Sequence, residues 1–452
     1  MDGHCASWHQ GRGHRLKVLA LLIAGLTLAA CMPDIGTDPV PEAMVFDPTT
    51  GQVPQPTTLV MNPTTGKIDM SLAGVVVPAD CIAQTLMAVA QCEFYQYLQS
   101  LDGFPSTAGA TAPVTAALDP ASLTATNVVI VDIGSGKTFT DLAIGFTTVG
   151  NNVTIDPKSG WDVGTIYVGA VRGYANGVKA IGGTEVVGSS VMYLLKEKEI
   201  LTCGGLTAST IPASCPYYVL LAQQMSDVEA RDSLIALEAA RQSIATQGAV
   251  AAMAETGGIP REEQAVLWAF PVHSASVVEL DPTKGLLPSV SGKNEIRLKV
   301  KGSVNPATVT AWSLDAPGSV FLLDLTALEA NDLSGGLPAF TAAYEDGAIV
   351  LRADVDLPVG HTIATLVTTG VTNSKGVALV PSPVTVLLKA RGPLVDDAGK
   401  SQVADVPDAD ATELEAGRAD FAKLLDDELF AGLTGLNRAD LVYVYAFDFP
   451  NP

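Results

Sequence analysis

A glycine-rich stretch that follows an apolar run is the first candidate for chemistry in this sequence. The residues from Gly134 to Thr138, "GSGKT", match the last part of a phosphate-binding loop, in which backbone N–H groups and a lysine hold phosphates. The full pattern needs a glycine at the position of Val131. The residues that follow are rich in Thr, Phe and Val, which is typical of a strand, whereas a phosphate loop opens a helix. The stretch therefore predicts a β-hairpin turn between two paired strands and no nucleotide binding.

Nucleophilic catalysis finds little support in the sequence. It contains no G-x-S-x-G nucleophile elbow and no S-x-x-K pair. Beyond the N-terminal thirty residues the only histidines are His273, at the end of a predicted strand, and His361, after a Pro-Val-Gly turn. Neither has the strand–turn–helix setting of a Ser–His–Asp triad, so we interpret both as surface or turn histidines. Two histidines so far apart also cannot supply a catalytic zinc site.

Carboxylates are concentrated near the C-terminus, where Asp405, Asp408 and Asp410 are weak candidates for calcium ligands. The spacing of an EF-hand is absent, and we favour an acidic solvated linker with one helix cap. The tryptophans Trp161, Trp268 and Trp312 could form a carbohydrate platform, but their scattered positions favour a core role. The sequence predicts no metal and no cofactor.

Composition limits the classes of fold and partner. The 452 residues include 42 glycines and 28 prolines, spread between short runs rich in Val, Ile and Thr, which indicates a mostly β protein with many short strands. The formal net charge is −22. Because such a charge repels phosphate backbones, we expect no nucleic-acid partner.

The N-terminus carries a targeting signal. Basic residues precede the apolar run "VLALLIAGLTLAA", which is too short for a permanent membrane span and typical of a signal peptide. It ends at Cys31 in "LAAC", which resembles a bacterial lipobox. Residues 1–30 are then a lipoprotein signal peptide, Cys31 is the lipidation site, and residues 31–41 are a flexible tether. This predicts a lipid-anchored protein at the outer membrane or surface of a Gram-negative bacterium.

Four further cysteines, Cys81, Cys92, Cys203 and Cys215, are disulfide candidates with three possible pairings. The stretch "CIAQTLMAVAQCEFYQYLQSL" has a helical pattern. In one helix, Cys81 and Cys92 would lie about 16 Å apart, too far to be bridged. Either that helix is broken or the bridges cross to the other two cysteines.

Internal repetition divides the chain. "LDPASLTATNVVIVD" from Leu118 recurs as "VNPATVTAWSLDAP", and "VTIDPKSGWDVGTIYVGAVRGYANGVKAIGGTEVVGSSVMYLLK" corresponds to "IVLRADVDLPVGHTIATLVTTGVTNSKGVALVPSPVTVLLK". Each copy then has a helical stretch and a last strand. Capping patterns start these helices at Ser226 with Glu229 and at Asp410 with Glu413. We predict two modules, at 42–275 and 276–452, each able to fold alone.

The second copy resembles the bacterial Ig-like modules of surface-layer and other exported proteins. The first copy adds "FDPTTGQVPQPTTLV", "SLDGFPSTAGATAPV" and "VLWAFPVHS", which resemble the N-terminal region of bacterial extracellular virulence-factor lipases; "LDGF" at 101–104 is the most specific element. In that family an α/β-hydrolase domain follows, whereas here a second Ig-like copy follows. The resemblance implies two tandem Ig-like β-sandwiches, each with helical insertions.

These observations favour a non-catalytic surface lipoprotein used for binding, adhesion or spacing at the cell envelope. Its expected partners are the membrane, through the lipid anchor, and an unknown protein or envelope ligand. One alternative is an accessory subunit that acts in trans with an extracellular lipase or other hydrolase. Another is a hydrolase with an unrecognised active site.

Overall fold

The computed structural model describes residues 41–47, 50–196, 200–223, 226–245, 248–404 and 406–450. Within these ranges the chain is rich in sheet, with sixteen strands in five sheets, which is consistent with the predicted mostly β class. The strands are β1 (Glu42–Met44), β2 (Ala110–Pro113), β3 (Val128–Asp132), β4 (Leu142–Thr147), β5 (Asn152–Pro157), β6 (Ile166–Arg172), β7 (Val186–Gly188), β8 (Gln264–Pro271), β9 (Val277–Val278), β10 (Ser289–Ser291), β11 (Glu295–Lys301), β12 (Val320–Asp324), β13 (Phe340–Glu345), β14 (Ala348–Ala353), β15 (Thr362–Thr368) and β16 (Leu441–Asp448).

Helices fill the connections between strands. None of those in the described ranges combines the length and the apolar character needed to cross a bilayer. The helices are α1 (Val89–Ser100), α2 (Ser190–Leu195), α3 (Pro216–Ala222), α4 (Asp227–Ala245), α5 (Gly248–Thr256), α6 (Leu325–Glu329), α7 (Leu333–Gly336), α8 (Pro383–Leu388), α9 (Asp408–Leu425) and α10 (Glu428–Thr434).

The two halves of the chain use the same strand order. In the first half the sheets run β2-β5-β4 and β3-β6-β8, and in the second half β11-β14-β13 and β12-β15-β16, all antiparallel within these sheets. The register also shifts at the same place, between Val171 and Arg172 in β6 and between Val367 and Thr368 in β15. The sequence repeat is therefore also a repeat of topology.

The glycine-rich stretch after β3 is a turn. Gly136 N donates to the carbonyl oxygen of Asp132 at 2.8 Å, and Val131 and Thr138 form an antiparallel bridge. The Asp132 carboxylate closes the loop by accepting from the Gly134 N–H at 2.7 Å and the Ser135 hydroxyl at 2.6 Å. No helix follows, since the next element is β4 in the other sheet. The predicted turn is present, but the predicted hairpin is wrong, because β3 and β4 do not pair with each other.

The alignment of the repeat needs one correction around this turn. The sequence comparison places "WSLDAP" opposite the end of β3, but the strand equivalent to β3 is β12, which begins at Val320. The turn at 316–319 therefore precedes the equivalent strand instead of following it. After β12 the chain forms α6, capped by Asp324, whose carboxylate accepts from the Ala327 N–H at 3.0 Å.

Two helix starts also differ from the sequence patterns. The helix predicted from Cys81 begins only at Val89, because residues 81–88 form turns organised by Gln84, whose side chain bonds the backbone of Leu86 and Met87. The predicted cap at Asp410 is wrong, since α9 begins earlier, after Pro407. The pattern at Ser226 is confirmed: Ser226 N donates to Glu229 Oε2 at 3.1 Å, and Glu229 N to Ser226 Oγ at 3.4 Å.

The first half carries an insertion that the second half lacks. Both halves open with the same turn, closed by Asp47 N to Gln52 O at 2.7 Å and by Asp281 N to Leu286 O at 2.9 Å. In the second half β10 and β11 follow directly, whereas in the first half residues 55–109 intervene before β2. We call residues 55–109 the strap, because its helix α1 leaves the first half and packs on α8 of the second.

Each half has its own apolar core between its two sheets. Trp161 and Trp268 are buried in the first core and Trp312 in the second, so the predicted core role is confirmed. Trp161 packs against Phe139, Tyr167 and Phe270 with ring centroids 5.1 to 5.4 Å apart, and its indole N–H donates to the carbonyl oxygen of Ala108. Burying these rings fixes the two sheets of the first half against each other.

Candidate functional site

The four cysteines predicted to form disulfides pair locally. Cys81 pairs with Cys92, their Cα atoms 5.5 Å apart, and Cys203 pairs with Cys215 at 5.8 Å. The first pairing is possible because the helix starts after Cys81, which is one of the two alternatives that the sequence left open. It fastens the turn region of the strap to α1. The proposed lipidation site, Cys31, lies outside the described residues.

The "LDGF" element joins the end of the strap to the last strand of the first half. Phe104 N donates to the carbonyl oxygen of Pro271 at 2.8 Å, and His273 N donates to that of Phe104 at 3.0 Å. The Asp102 carboxylate accepts from the backbone N–H of Ser274 at 2.9 Å and also from its hydroxyl. Burial alone would raise the pKa of Asp102, but these two hydrogen bonds outweigh it and lower the pKa. The most specific element of the resemblance is thus a structural joint.

His273 lies beside this joint and is buried, so it is not a surface histidine. Burial lowers its pKa to about 4, against the opposing effects of a hydrogen bond to the backbone of Ala275 and the charge of Asp102. Its Nδ1 atom has no hydrogen-bond partner within the described part of the chain. Because the hydroxyl of Ser274 is directed to Asp102 rather than to the imidazole, the three side chains do not form a triad.

His361 has a structural partner in the second half. Its Nδ1 lies 2.8 Å from Oδ2 of Asp324, which is buried. The other oxygen of Asp324 caps α6, as described above. The pair therefore holds the start of β15 against the end of β12, and no serine or cysteine contacts the imidazole in the described hydrogen bonds.

Two of the three calcium candidates, Asp408 and Asp410, lie within the described residues. Both oxygens of Asp408 are occupied, Oδ2 by the ammonium of Lys400 at 2.7 Å and Oδ1 by the backbone N–H of Ser401 at 2.9 Å. Asp410 lies in the first turn of α9, and Asp405 is outside the described residues. Over the described ranges no group of three or more His, Cys, Asp and Glu side chains could hold a metal ion.

In each half a lysine directly follows a short helix and donates hydrogen bonds to the last strand. The helix is α2 in the first half and α8 in the second. The ammonium of Lys196 donates to the carbonyl oxygen of Gln264 at 2.9 Å, and that of Lys389 to the carbonyl oxygen of Leu441 at 2.6 Å. An arginine completes each arrangement, with Arg261 donating to the carbonyl oxygen of Lys196 and Arg438 to that of Lys389. These pairs tie β8 to the end of α2 in the first half and β16 to the end of α8 in the second half.

The second half differs because its lysine also lines a cleft of about 930 Å³ between the strap and the second half. One wall is the side of α1 that faces the second half, including Glu93 and Tyr97. The opposite wall comes from α8, the loop after α10 and the start of β16. We call this space the junction cleft. The Tyr97 hydroxyl donates to the carbonyl oxygen of Pro381 at 2.9 Å, which anchors the two walls to each other.

Charge in the junction cleft is unevenly matched. Arg391 pairs with Glu93, and Arg438 pairs with Asp426 at 2.6 Å. Lys389 has no carboxylate within ion-pair distance among the described residues. Burial lowers its pKa to about 8; Glu93 and Asp440 raise the pKa, while Arg438 lowers it further. Among the described residues Lys389 is therefore the one cation of the lining without an ion-pair partner, although the charges of Glu93 and Asp440 act on it.

Sequence reasoning missed Lys389, Arg391 and Arg438. A signal for Lys389 and Arg438 was present in the repeat. "YLLK" and "VLLK" end corresponding helices, and an arginine lies just before the last strand in both "GIPRE" and "GLNRA". The junction cleft itself had no signal, since it depends on where the strap packs. No protein-family model matches the chain, and no curated protein matches it either.

Proposed function

We propose that the chain is a non-catalytic envelope lipoprotein that binds a ligand in the junction cleft. The observation that carries this proposal is the combination of a large cleft with an unmatched cation, at the contact between two repeated β units. Largely preformed concave sites with a few polar groups are where proteins commonly bind small ligands. Junctions between units are a common location for such sites.

Two side chains that could otherwise perform chemistry have structural partners, which supports a non-catalytic function. The Ser274 hydroxyl bonds to Asp102, and His361 bonds to Asp324. Lys137 lies in the turn after β3, where the Asp132 N–H donates to its carbonyl oxygen at 2.9 Å. A nucleophile and its base need to contact each other.

The repeat supports the finer proposal that each half is an Ig-like β-sandwich with helical insertions. In each half two antiparallel sheets with the same strand order enclose one apolar core. Facing sheets that bury alternating side chains are the architecture of such sandwiches. On this proposal the modules act as a scaffold, and the strap and its cleft supply the binding function.

Anchoring at the outer membrane or cell surface is part of the proposal and predicts lipid modification. When the protein is produced in its native cells with a labelled fatty acid, we expect the chain to carry the label. Replacing the thiol in Cys31→Ser should abolish labelling, because the acyl chains attach through that cysteine. A matched control is Cys5→Ser, which alters a cysteine upstream of the cleavage site. Undiminished labelling of Cys31→Ser would contradict the anchor.

Catalysis is tested separately on the purified chain. We expect no hydrolysis of short- or long-chain p-nitrophenyl esters above the rate in buffer, and no difference between the wild type and Ser274→Ala. Turnover that saturates with substrate would overturn the non-catalytic proposal. Pull-down from native envelopes distinguishes the accessory alternative, which predicts that a hydrolase is retained by the wild type.

A further inference from the structure

The junction cleft is specific enough in its chemistry to indicate a class of ligand, and this step rests on the proposed binding function. Three cationic side chains and two carboxylates line the cleft, namely Lys389, Arg391 and Arg438 against Glu93 and Asp426. Each carboxylate already pairs with an arginine. Lys389 is the lining cation that has no ion-pair partner among the described residues, although the charges of Glu93 and Asp440 also act on it. Its ammonium favours an anionic group on the ligand.

Donors are available for such an anion. The Lys389 ammonium uses two of its three hydrogens on carbonyl oxygens, at 2.6 Å on Leu441 and 3.4 Å on Arg438. Arg391 bonds Glu93 through Nε, and its two terminal nitrogens have no hydrogen-bond partner within the described ranges. A charged donor and a planar guanidinium are the groups that bind carboxylates most strongly.

The remaining lining is partly apolar and partly polar. Leu379, Val386, Leu425, Leu436 and Val442 supply the apolar part, and Gln96, Ser100, Thr369 and Asn437 the polar part. The volume of about 930 Å³ is within the range of pockets that enclose small molecules. A hydrocarbon body on the ligand would cover the apolar part, because excluding water from apolar surface is favourable.

We propose that the junction cleft binds an amphipathic monocarboxylate, with the carboxylate at Lys389 and Arg391 and the hydrocarbon chain along Leu379, Val386 and Leu436. A monocarboxylate brings one negative charge to the lining cation that has no ion-pair partner. A phosphate monoester carries up to two negative charges at neutral pH, and the second would lie near the carboxylates of Glu93 and Asp440.

The test is calorimetric titration of the purified full chain with dodecanoate. We expect saturable binding to a single site, no binding of dodecyltrimethylammonium, and weaker binding of dodecyl phosphate. Lys389→Met should weaken dodecanoate binding about tenfold or more, because a charge-assisted contact is lost. The matched control is Lys196→Met, which removes the equivalent lysine of the first half, outside the junction cleft, and should leave the affinity unchanged.

Proton uptake on ligand binding is a second measurement. A lysine with a purely structural role would not contribute to it. An anion beside Lys389 favours its charged form, so binding near pH 8 should take up a fraction of a proton, and binding at pH 6 should take up almost none. The charged groups around the ammonium are Glu93, Arg438 and Asp440. Titration in buffers of different ionisation enthalpy measures this uptake, which should disappear in Lys389→Met.

Should Lys389→Met fail to fold, Arg391→Gln takes its place, because its side chain is about half exposed and holds no strand. Absence of dodecanoate binding to the wild type would overturn this ligand class. So would equal binding of the cationic amphiphile, tighter binding of dodecyl phosphate, or an unchanged affinity in the variant that folds. None of these outcomes bears on the non-catalytic proposal, which fails only if ester turnover is found.

Discussion

Gly103→Ala should destabilise the first half by roughly 3 kcal/mol or more, although it adds a single methyl group. A Cβ atom at Gly103 would lie 2.6 Å from the backbone nitrogen of His273 and 2.6 Å from the carbonyl carbon of Val272. Both are backbone atoms of the segment that continues β8, so neither can move aside as a flexible side chain would. The strap would have to separate from that segment, and the hydrogen bonds of Phe104 with it would be lost.

Gly432→Ala is the matched control for this prediction. Gly432 lies in α10, a methyl group added there would have no other atom within 4 Å, and the backbone is not in the left-handed region. The same substitution should there stabilise the protein slightly, by up to about 1 kcal/mol, because alanine is the better helix former. Urea unfolding of both variants measures the contrast. A Gly103→Ala protein with the midpoint of the wild type would refute the close approach.

Residues 276–452 expressed alone should be less stable than the same residues in the full chain by roughly 4 kcal/mol. The sequence repeat predicts a fragment that folds by itself, and its separate core still supports a cooperative transition. However, α1 of the strap covers part of this fragment. Ala90 packs with Leu387, Leu394 and Val403, and Tyr97 packs with Val386.

The expected size of this loss comes from the apolar surface that becomes exposed. Fully burying an aliphatic side chain stabilises a fold by roughly 1.5–3 kcal/mol, and removing the strap uncovers part of several of them. The fragment also loses the pairing of Arg391 with Glu93 and the hydrogen bond from Ala404 N to Gln91. Since domains are stable by only about 5–15 kcal/mol, the fragment should be marginal.

Thermal unfolding of the fragment and of the full chain gives the comparison. Tyr97→Phe in the full chain is a smaller, matched change, which removes only the hydrogen bond to Pro381 and should cost about 1 kcal/mol. If the fragment melts at the temperature of the full chain, the strap does not support the second half. If the fragment shows no cooperative transition at all, the second half depends on the strap more than its separate core suggests.

The sequence by itself determined the features that depend on local chemistry and on periodicity. The strand-rich class followed from short β-branched runs between turn residues, and the turn at Gly134 from the missing glycine at Val131. The capping box at Ser226 is local in the same sense, because it depends only on residues that are close in the chain. The core positions of the tryptophans are local too, because each depends on the size and apolar character of one side chain. The repeat was visible because both halves place similar residues in the same order.

The tertiary structure alone decided the features that join distant segments. The strap leaves its own half, so nothing near Tyr97 in the sequence indicates Pro381 as its partner, 284 residues away. His273 looked like the exposed end of a strand, but it is buried because the strap folds back over it through Phe104. Lys389 directly follows α8, and only the arrival of α1 turns its surroundings into a cleft. These contacts depend on which surfaces meet after folding, and composition, spacing and periodicity carry no information about that meeting.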